Sequence, residues 1–202
     1  MYRRPVNKKL VVDKKKKIRE KIIEVRKNTS VEKIRKWSRD IEKRFFSLRE
    51  YKDAETVMFY VSYDNEVYTH DMIKKALKEG KKVVVPFSDT KHNNITPIQI
   101  KDFEELKRGA YGILEPFYQH ELVVSENVID LVVVPGVAFD TKGHRIGHGL
   151  GYYDEFLKTV TACKTGFAFE FQVLSEIPCE EHDVRMDKIV TEKRIIDCGI
   201  KC

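Results

Sequence analysis

The sequence predicts an α/β fold of three layers, with helices on both faces of a mostly parallel sheet and two further helices leading into it. Three observations carry this expectation. Apolar residues recur every three to four positions through the first fifty residues. Two short, uninterrupted apolar runs, residues 82–86 (KVVVP) and 130–135 (DLVVVP), suit strands buried on both faces. Helical patterns then alternate with strand-like runs along the chain.

Asp13 is placed to cap a first helix reaching about Asn28, with Ile18, Ile22 and Val25 on one stripe. Ser30 caps a second, in which Ile34, Trp37, Ile41, Phe45 and Leu48 hold the helical period; this stripe, with Phe46 beside it, is expected to be packing. Residues 56–62 (TVMFYVS) are β-branched and aromatic, as in a strand. Thr69 caps a helix ending at Gly80, and the run 82–86 follows, giving a strand–helix–strand unit. Residues 95–100 alternate weakly and fit an edge strand, while the glycines in 106–116 indicate a surface loop. The run 130–135 leads through a glycine-dense segment into a helix from Tyr152 to about Thr161, and residues 165–169 supply one more strand. The pattern is Rossmann-like, and ligands in such sheets sit at the carboxyl ends of the strands.

Composition sets the outer limits. Of 202 residues 42% are hydrophobic, and only ten Gly and six Pro are present, which excludes disordered, collagen-like and coiled-coil chains. Residues 14–202 are expected to form one domain and residues 1–13 a basic amino-terminal extension. The longest uncharged apolar stretch, ending at Asp140, is broken by Pro135 and Gly136, whereas about twenty apolar residues are needed to cross a bilayer. Residues 10–12 are too short an apolar run for a secretory signal. A soluble cytoplasmic protein without a membrane partner is therefore expected, and a monomer. Cys163, Cys179, Cys198 and Cys202 form no CxxC pair or Cys/His cluster, so they are expected to be free thiols.

The net charge is +6, but residues 1–50 carry 19 Lys+Arg against 7 Asp+Glu, so this stretch holds +12 and the remainder −6. A basic arm suits phosphate, though any one Lys in it is more often a solvated helix face. The Lys and Glu content would also suit a heat-adapted protein. Lys15 and Arg19 stand four apart, so they project from one side of a helix and can grip the same anion.

Between a strand and a helix, residues 143–154 (GHRIGHGLGYYD) hold four glycines, Arg145 and Asp154. Glycines let backbone N–H groups turn toward a ligand, and a helix start adds positive potential, so phosphate is the natural guest. Arg145 adds a bidentate grip, and Asp154 can either support the helix start or hold a magnesium ion bridging phosphates. No Gly-Lys-Ser/Thr closes the loop, and its spacing misses the dinucleotide fingerprint by one residue. On glycine spacing alone a plain surface turn fits equally well; Arg145 and Asp154 tip the balance toward an anion site.

The stretch Pro135-Gly136-Val137-Ala138-Phe139-Asp140, followed by Gly143-x-Arg145-x-Gly147-x-Gly149-x-Gly151-Tyr152-Tyr153-Asp154, resembles the signature of the 5-formyltetrahydrofolate cyclo-ligase family, also called methenyltetrahydrofolate synthetases. Lys15-x-x-x-Arg19 resembles the family's amino-terminal nucleotide contacts. Tyr60-x-Ser62 with Glu66 and Thr69 resembles its first strand and folate-side loop, and Glu181-His182-Asp183 to Thr191 its closing segment, so residues 14–196 are covered.

The resemblance implies ATP- and Mg2+-dependent closure of 5-formyltetrahydrofolate to 5,10-methenyltetrahydrofolate. Lys15, Arg19 and Arg145 would neutralise phosphate. Arg145, Gly147, His148, Gly149, Gly151, Tyr152 and Tyr153 would wrap ATP, and Asp154 with Asp183 would hold Mg2+. Glu66, Tyr63, Tyr68 and Tyr152 would face the reduced folate. Tyr68 stands where many relatives carry an acid, and Glu155 where a base is common, which leaves a different pterin as the alternative substrate.

His144 and His148 stand four apart, but glycines deny them a helix and no third zinc ligand is evident. His182 is expected to be a local hydrogen-bonding partner, and Asp183 can equally be a turn residue. An RNA-binding module is the rival from another class; it lacks an RNA-binding signature and an exposed aromatic platform, so nucleic acid is not the expected partner. A sugar-phosphate isomerase or CoA transferase on a related scaffold is the rival among enzymes, and residues 145–154 favour ATP over both.

Overall fold

The structure is a computed structural model and describes residues 8–89, 94–109, 112–180 and 183–199. Residues 1–7 of the basic extension, His182 and Cys202 lie outside them. Helices α1 (Lys8–Lys27), α2 (Val31–Ser47) and the short α3 (Arg49–Asp53) come first, then β1 (Thr56–Met58), α4 (His70–Lys78), β2 (Lys82–Asp89) and β3 (Asn94–Ile100). A small antiparallel pair follows, β4 (Lys107–Arg108) with β5 (Leu114–Glu115). The remainder is β6 (Leu131–Val134), β7 (Ala138–Asp140), β8 (Arg145–Ile146), α5 (Tyr152–Thr159), β9 (Cys163–Phe167), β10 (Val173–Leu174), β11 (Lys188–Val190) and β12 (Ile195–Asp197).

Among the described residues the main sheet has the order β12-β11-β9-β6-β1-β2-β3. Its five inner strands are parallel, and both edge strands, β3 and β12, run antiparallel to their neighbours. A second small sheet has the order β10-β7-β8. The expected mostly parallel three-layer fold is what forms.

Strand alternation builds the two outer layers. Val57, Val83, Val85, Leu131 and Val133 face one side, where Ile34, Ile41 and Phe45 of α2 and Ile73 and Ala76 of α4 cover them. Met58, Val84, Val132 and Val134 face the other, under Phe156 and Leu157 of α5. With both faces covered, the inner strands have no polar positions to spare, which is why they read as continuous apolar runs. Phe45 is wholly buried and meets Phe59, Phe167 and Tyr51 ring against ring at 5.0–5.7 Å. Truncating such a ring to Ala costs about 3–5 kcal/mol, a large share of a domain's stability. Helix α1 packs separately, through Ile22, on Val137 and on Ala138 and Ile146 of the small sheet.

Several boundaries differ from the sequence expectation. Asp13 lies inside α1 rather than capping it, because the apolar stripe of Ile18 and Ile22 begins at the buried Val11, two residues earlier. Residues 8–13 therefore continue the helix. Strand β1 ends at Met58, not residue 62: beyond Phe59 the backbone turns to side chains, Ser62 N donating to Thr69 Oγ1 while that hydroxyl donates to Tyr60 O. Thr69 sits at the N-cap of α4 as expected, but its side chain is spent on this clasp. Residues 106–116 contain the β4–β5 pair instead of only loop, β2 reaches Asp89, and β9 lies two residues earlier than expected. Cys163 is disulfide-bonded, so the expectation of four free thiols is corrected; Cys179 and Cys198 are free.

Candidate active site

Strand order reverses between β1 and β6, and parallel sheets open a crevice at the carboxyl ends of such a pair. A cavity of about 750 Å3 lies there, walled by residues that follow β1 (Tyr60, Val61, Tyr63, Glu66), by Pro86 and Ser88 of β2, by Pro135 after β6, and by residues 145–154. Helix α1 closes one side with Val12, Lys15 and Arg19, and Glu180 and Asp183 complete that wall.

Local chemistry fixes the glycine-rich loop at both ends. The carboxylate of Asp140, wholly buried, accepts from the backbone N–H of Lys142 and His144 at 3.0 and 3.1 Å and from Ile177 N at 3.2 Å, and lies 2.9 Å from His144 Nδ1. This spends Asp140 on the turn and His144 on Asp140. Gly143 in that turn has φ +89°, and a Cβ there would stand 2.4 Å from Met186 O, so no other residue fits. At the far end Gly151, with φ +81°, is the N-cap of α5 and brings no side-chain acceptor, leaving the first-turn N–H groups for another acceptor.

Arg145 is buried in the wall. Its Nη2 donates to Asp154 Oδ1 at 2.5 Å and its Nη1 to Pro135 O at 3.3 Å, while Nε is buried without a partner among the described residues. Arg19 Nε donates to Gly147 O at 2.8 Å and covers Gly149, which fastens the loop to α1. Lys15 Nζ reaches Asp183 Oδ2 at 2.5 Å and Glu180 Oε2 at 3.1 Å. Burial pushes the Lys15 ammonium down, but these carboxylates outweigh it and hold its pKa above the ordinary value.

On the opposite wall Glu66 is braced by Tyr63 N, which donates to its Oε2 at 3.1 Å, and His148 Nε2 stands 3.5 Å from Oε1. The two histidines of the loop thus face different carboxylates. Tyr152 lines the cavity, and so does Tyr153, whose hydroxyl is buried without a described partner.

The structure therefore brings Lys15, Arg19, Tyr63, Glu66, Arg145, Gly147, His148, Gly149, Gly151, Tyr152, Tyr153, Asp154 and Asp183 to one cavity. Tyr68 is the exception. Its N–H donates to Ser38 Oγ and its ring lies against His70 and under Arg35, in a small depression on α2, so the expectation that it faces the folate is corrected. Sequence reasoning missed Glu180 and the roles of Asp140 and Thr69. The Asp140-x-x-x-His144 spacing was the available signal for one of these, but Glu180 had none.

Asp154 and Asp183 each meet a different cation, and no group of three or more His, Cys, Asp or Glu among the described residues could hold a metal ion. Magnesium is commonly held by one or two carboxylates together with phosphate oxygens and water. The donor set here fits an ion that arrives on phosphates and takes Asp154 or Asp183 as a ligand, and does not fit an all-protein cage.

Comparison with known proteins identifies relatives over most of the chain. The family model described as "5-formyltetrahydrofolate cyclo-ligase family" matches residues 11–192. The 5-formyltetrahydrofolate cyclo-ligase of Saccharomyces cerevisiae is 34% identical over 163 residues, covering 68% of this chain and 76% of that one. The Haemophilus influenzae enzyme of that name is 29% identical over 88% of this chain and 97% of its own. The solved 5,10-methenyltetrahydrofolate synthetase of Aquifex aeolicus superposes with a TM-score of 0.83 at 34% identity, covering 93% and 94% of the two chains. That of Mycoplasma pneumoniae, at 22% identity and a TM-score of 0.70, shares the fold. A chain matched by the family model over residues 11–192, and 34% identical to a curated relative of that name, belongs to the 5-formyltetrahydrofolate cyclo-ligase family of enzymes.

Proposed function

We propose that this chain closes 5-formyltetrahydrofolate to 5,10-methenyltetrahydrofolate with ATP as phosphoryl donor and Mg2+ as counter-ion, releasing ADP and phosphate. One observation carries the reading: groups suited to phosphate (Lys15, Arg19, Arg145, the glycine loop) and groups suited to a flat amino-pyrimidinone (Glu66, Tyr63, Tyr152) line the same cavity. A carboxylate accepts from the pterin N–H edge, and an aromatic face stacks on its ring.

The formyl oxygen is a poor leaving group. In this mechanism it attacks the γ-phosphorus, and the bond to the ADP oxygen breaks with its electrons staying on ADP. N10 then attacks the formyl carbon, its proton passes to water, and the C–O bond breaks with its electrons leaving on phosphate. The protein needs no nucleophile; it aligns two ligands and neutralises charge, tasks assigned to Arg145, Lys15 and Arg19. Bound Mg2+, held by Asp154 or Asp183 and phosphate oxygens, would offset charge on the transferring group.

The test is to mix protein, 5-formyltetrahydrofolate, ATP and Mg2+, following the methenyl chromophore beside ADP and omitting each component in turn. Both products should appear together, only in the full mixture, and an 18O label in the formyl group should emerge in phosphate. ATP binding without methenyl product would move the search to another pterin. Absence of ATP binding as well would overturn the reading.

A further inference from the structure

Lys15 differs from the other cations of the cavity in what holds it. Arg19 donates to a backbone oxygen, and Arg145 to one carboxylate and a carbonyl. The Lys15 ammonium lies between two carboxylates, with Asp183 Oδ2 at 2.5 Å and Glu180 Oε2 at 3.1 Å. The side chains of Lys15, Asp183 and Glu180 are 13%, 8% and 22% exposed, so these contacts are screened less than an open surface pair. An ammonium carries three N–H donors. With one of them bonded, the other two swing about that bond; with two bonded, the direction of the third is fixed. Lys15 lines the cavity, so its third N–H is the donor left for a ligand.

The two carboxylates reach Lys15 as one turn. Glu180 N donates to Asp183 Oδ2 at 2.8 Å, and Asp183 N donates back to Glu180 O at 3.1 Å. The second of these bonds is between main-chain atoms, so it keeps Glu180 in place even when the Asp183 carboxylate turns to an ion. Charge alone argues against an acid at this position, because a second carboxylate beside a phosphate-binding ammonium repels the phosphate. Aiming the ammonium gives Glu180 a use that outweighs this cost.

Resting on the cyclo-ligase reading, we propose that Glu180 is a positioning residue for Lys15. It holds the ammonium so that the remaining N–H meets the transferring phosphate, and it keeps hold when Asp183 takes a share in Mg2+. Glu180 acts through Lys15 alone, and no bond is made or broken at it.

The test is a double-mutant cycle with Lys15→Ala, read as single-turnover formation of the methenyl product at saturating ATP and Mg2+. Glu180→Ala should slow the parent by about tenfold to a hundredfold, the scale of a misplaced reacting group, with KM for 5-formyltetrahydrofolate within about threefold. In the Lys15→Ala background the same substitution should change the rate by less than about twofold. Glu180→Gln keeps an acceptor for the ammonium without the charge, so it should lose at most about threefold. An unchanged rate for Glu180→Ala overturns the proposal, and so does an equal loss with and without Lys15, which would show that Glu180 merely supports the fold. A lower KM for ATP at an undiminished rate also overturns it, since Glu180 would then be only a competitor of phosphate. Glu180→Gln as slow as Glu180→Ala would overturn the aiming argument. If the parent protein itself forms no methenyl product, the cyclo-ligase reading fails instead.

Discussion

Arg145 and Asp154 are joined across the glycine-rich loop, guanidinium Nη2 to carboxylate Oδ1 at 2.5 Å, so the strand before the loop and the helix after it are tied by one ion pair. Arg145 is nearly sealed, and Asp154 remains about a quarter exposed toward the cavity. The pair holds the loop and leaves part of the Asp154 carboxylate open to the cavity.

Arg145→Ala should therefore lower turnover about a hundredfold to a thousandfold, the range for deleting a preorganised charge-stabilising group. It should cost only about 1–3 kcal/mol in stability, because the stranded Asp154 can still reach water. Near-normal turnover in a steady-state assay would remove Arg145 from the mechanism. Asp154→Asn should raise the magnesium concentration needed for half-maximal rate; an unchanged titration would leave Asp154 with the single task of holding Arg145.

Gly136→Ala should disable the site from behind. A Cβ at this position would stand 2.4 Å from the ring of Phe139 and 3.1 Å from Arg145 Cγ. Phe139 is wholly buried and cannot swing away, so the strain passes to Arg145. The expected cost is about 1–3 kcal/mol, as for other overpacked cores, with a loss of turnover larger than the unfolded fraction explains. Urea melts beside kcat measurements would separate the two; an unchanged kcat would show that Arg145 has room to yield.

How much of this was legible in the sequence depends on whether the signal was local. The strands β2 and β6 announced themselves because burial on both faces forces every residue to be apolar, as in Val83-Val84-Val85 and Val132-Val133-Val134. The loop residues were legible for a similar reason, since Gly143 and Gly151 adopt backbone angles that other residues resist. Long-range pairings were not legible: Lys15 meets Glu180 and Asp183 across more than 160 positions, and nothing in either segment names the other. Tyr68 misled because its motif position said nothing about which side of the chain it faces, and Ser38 and Arg35, which hold it, come from a different helix.

The free thiols should separate cleanly by reactivity. Cys179 is exposed, whereas Cys198 is buried and its thiol is pushed up to about 11, by burial first, so almost no thiolate exists at neutral pH. Iodoacetamide at pH 7.5 should label Cys179 within minutes and leave Cys198 intact until the protein is unfolded. Equal labelling of both in the native protein, read by peptide mass, would contradict the burial of Cys198.

His70 should make stability fall as the solution turns mildly acidic. Its Nε2 lies 3.0 Å from Ser62 O, and its ring is enclosed by Tyr68 and Phe103 at 4.6 and 5.0 Å. Burial pushes its pKa below the ordinary 6.5; the Ser62 carbonyl and Asp71 oppose this, while Lys74 and Arg35 reinforce it. The unfolded chain then binds a proton at a higher pH than the folded one, so His70 contributes stability that is complete above 6.5 and is lost as pH falls through the lower folded value. Urea midpoints between pH 7.5 and 5 should drop for the parent protein and drop less for His70→Gln, with carboxylate titrations common to both cancelling in the difference. Parallel curves would mean that His70 titrates alike in both states. Because Ser62 leads directly into Tyr63 and Glu66, the same acid shift should weaken 5-formyltetrahydrofolate binding in the parent more than in the variant.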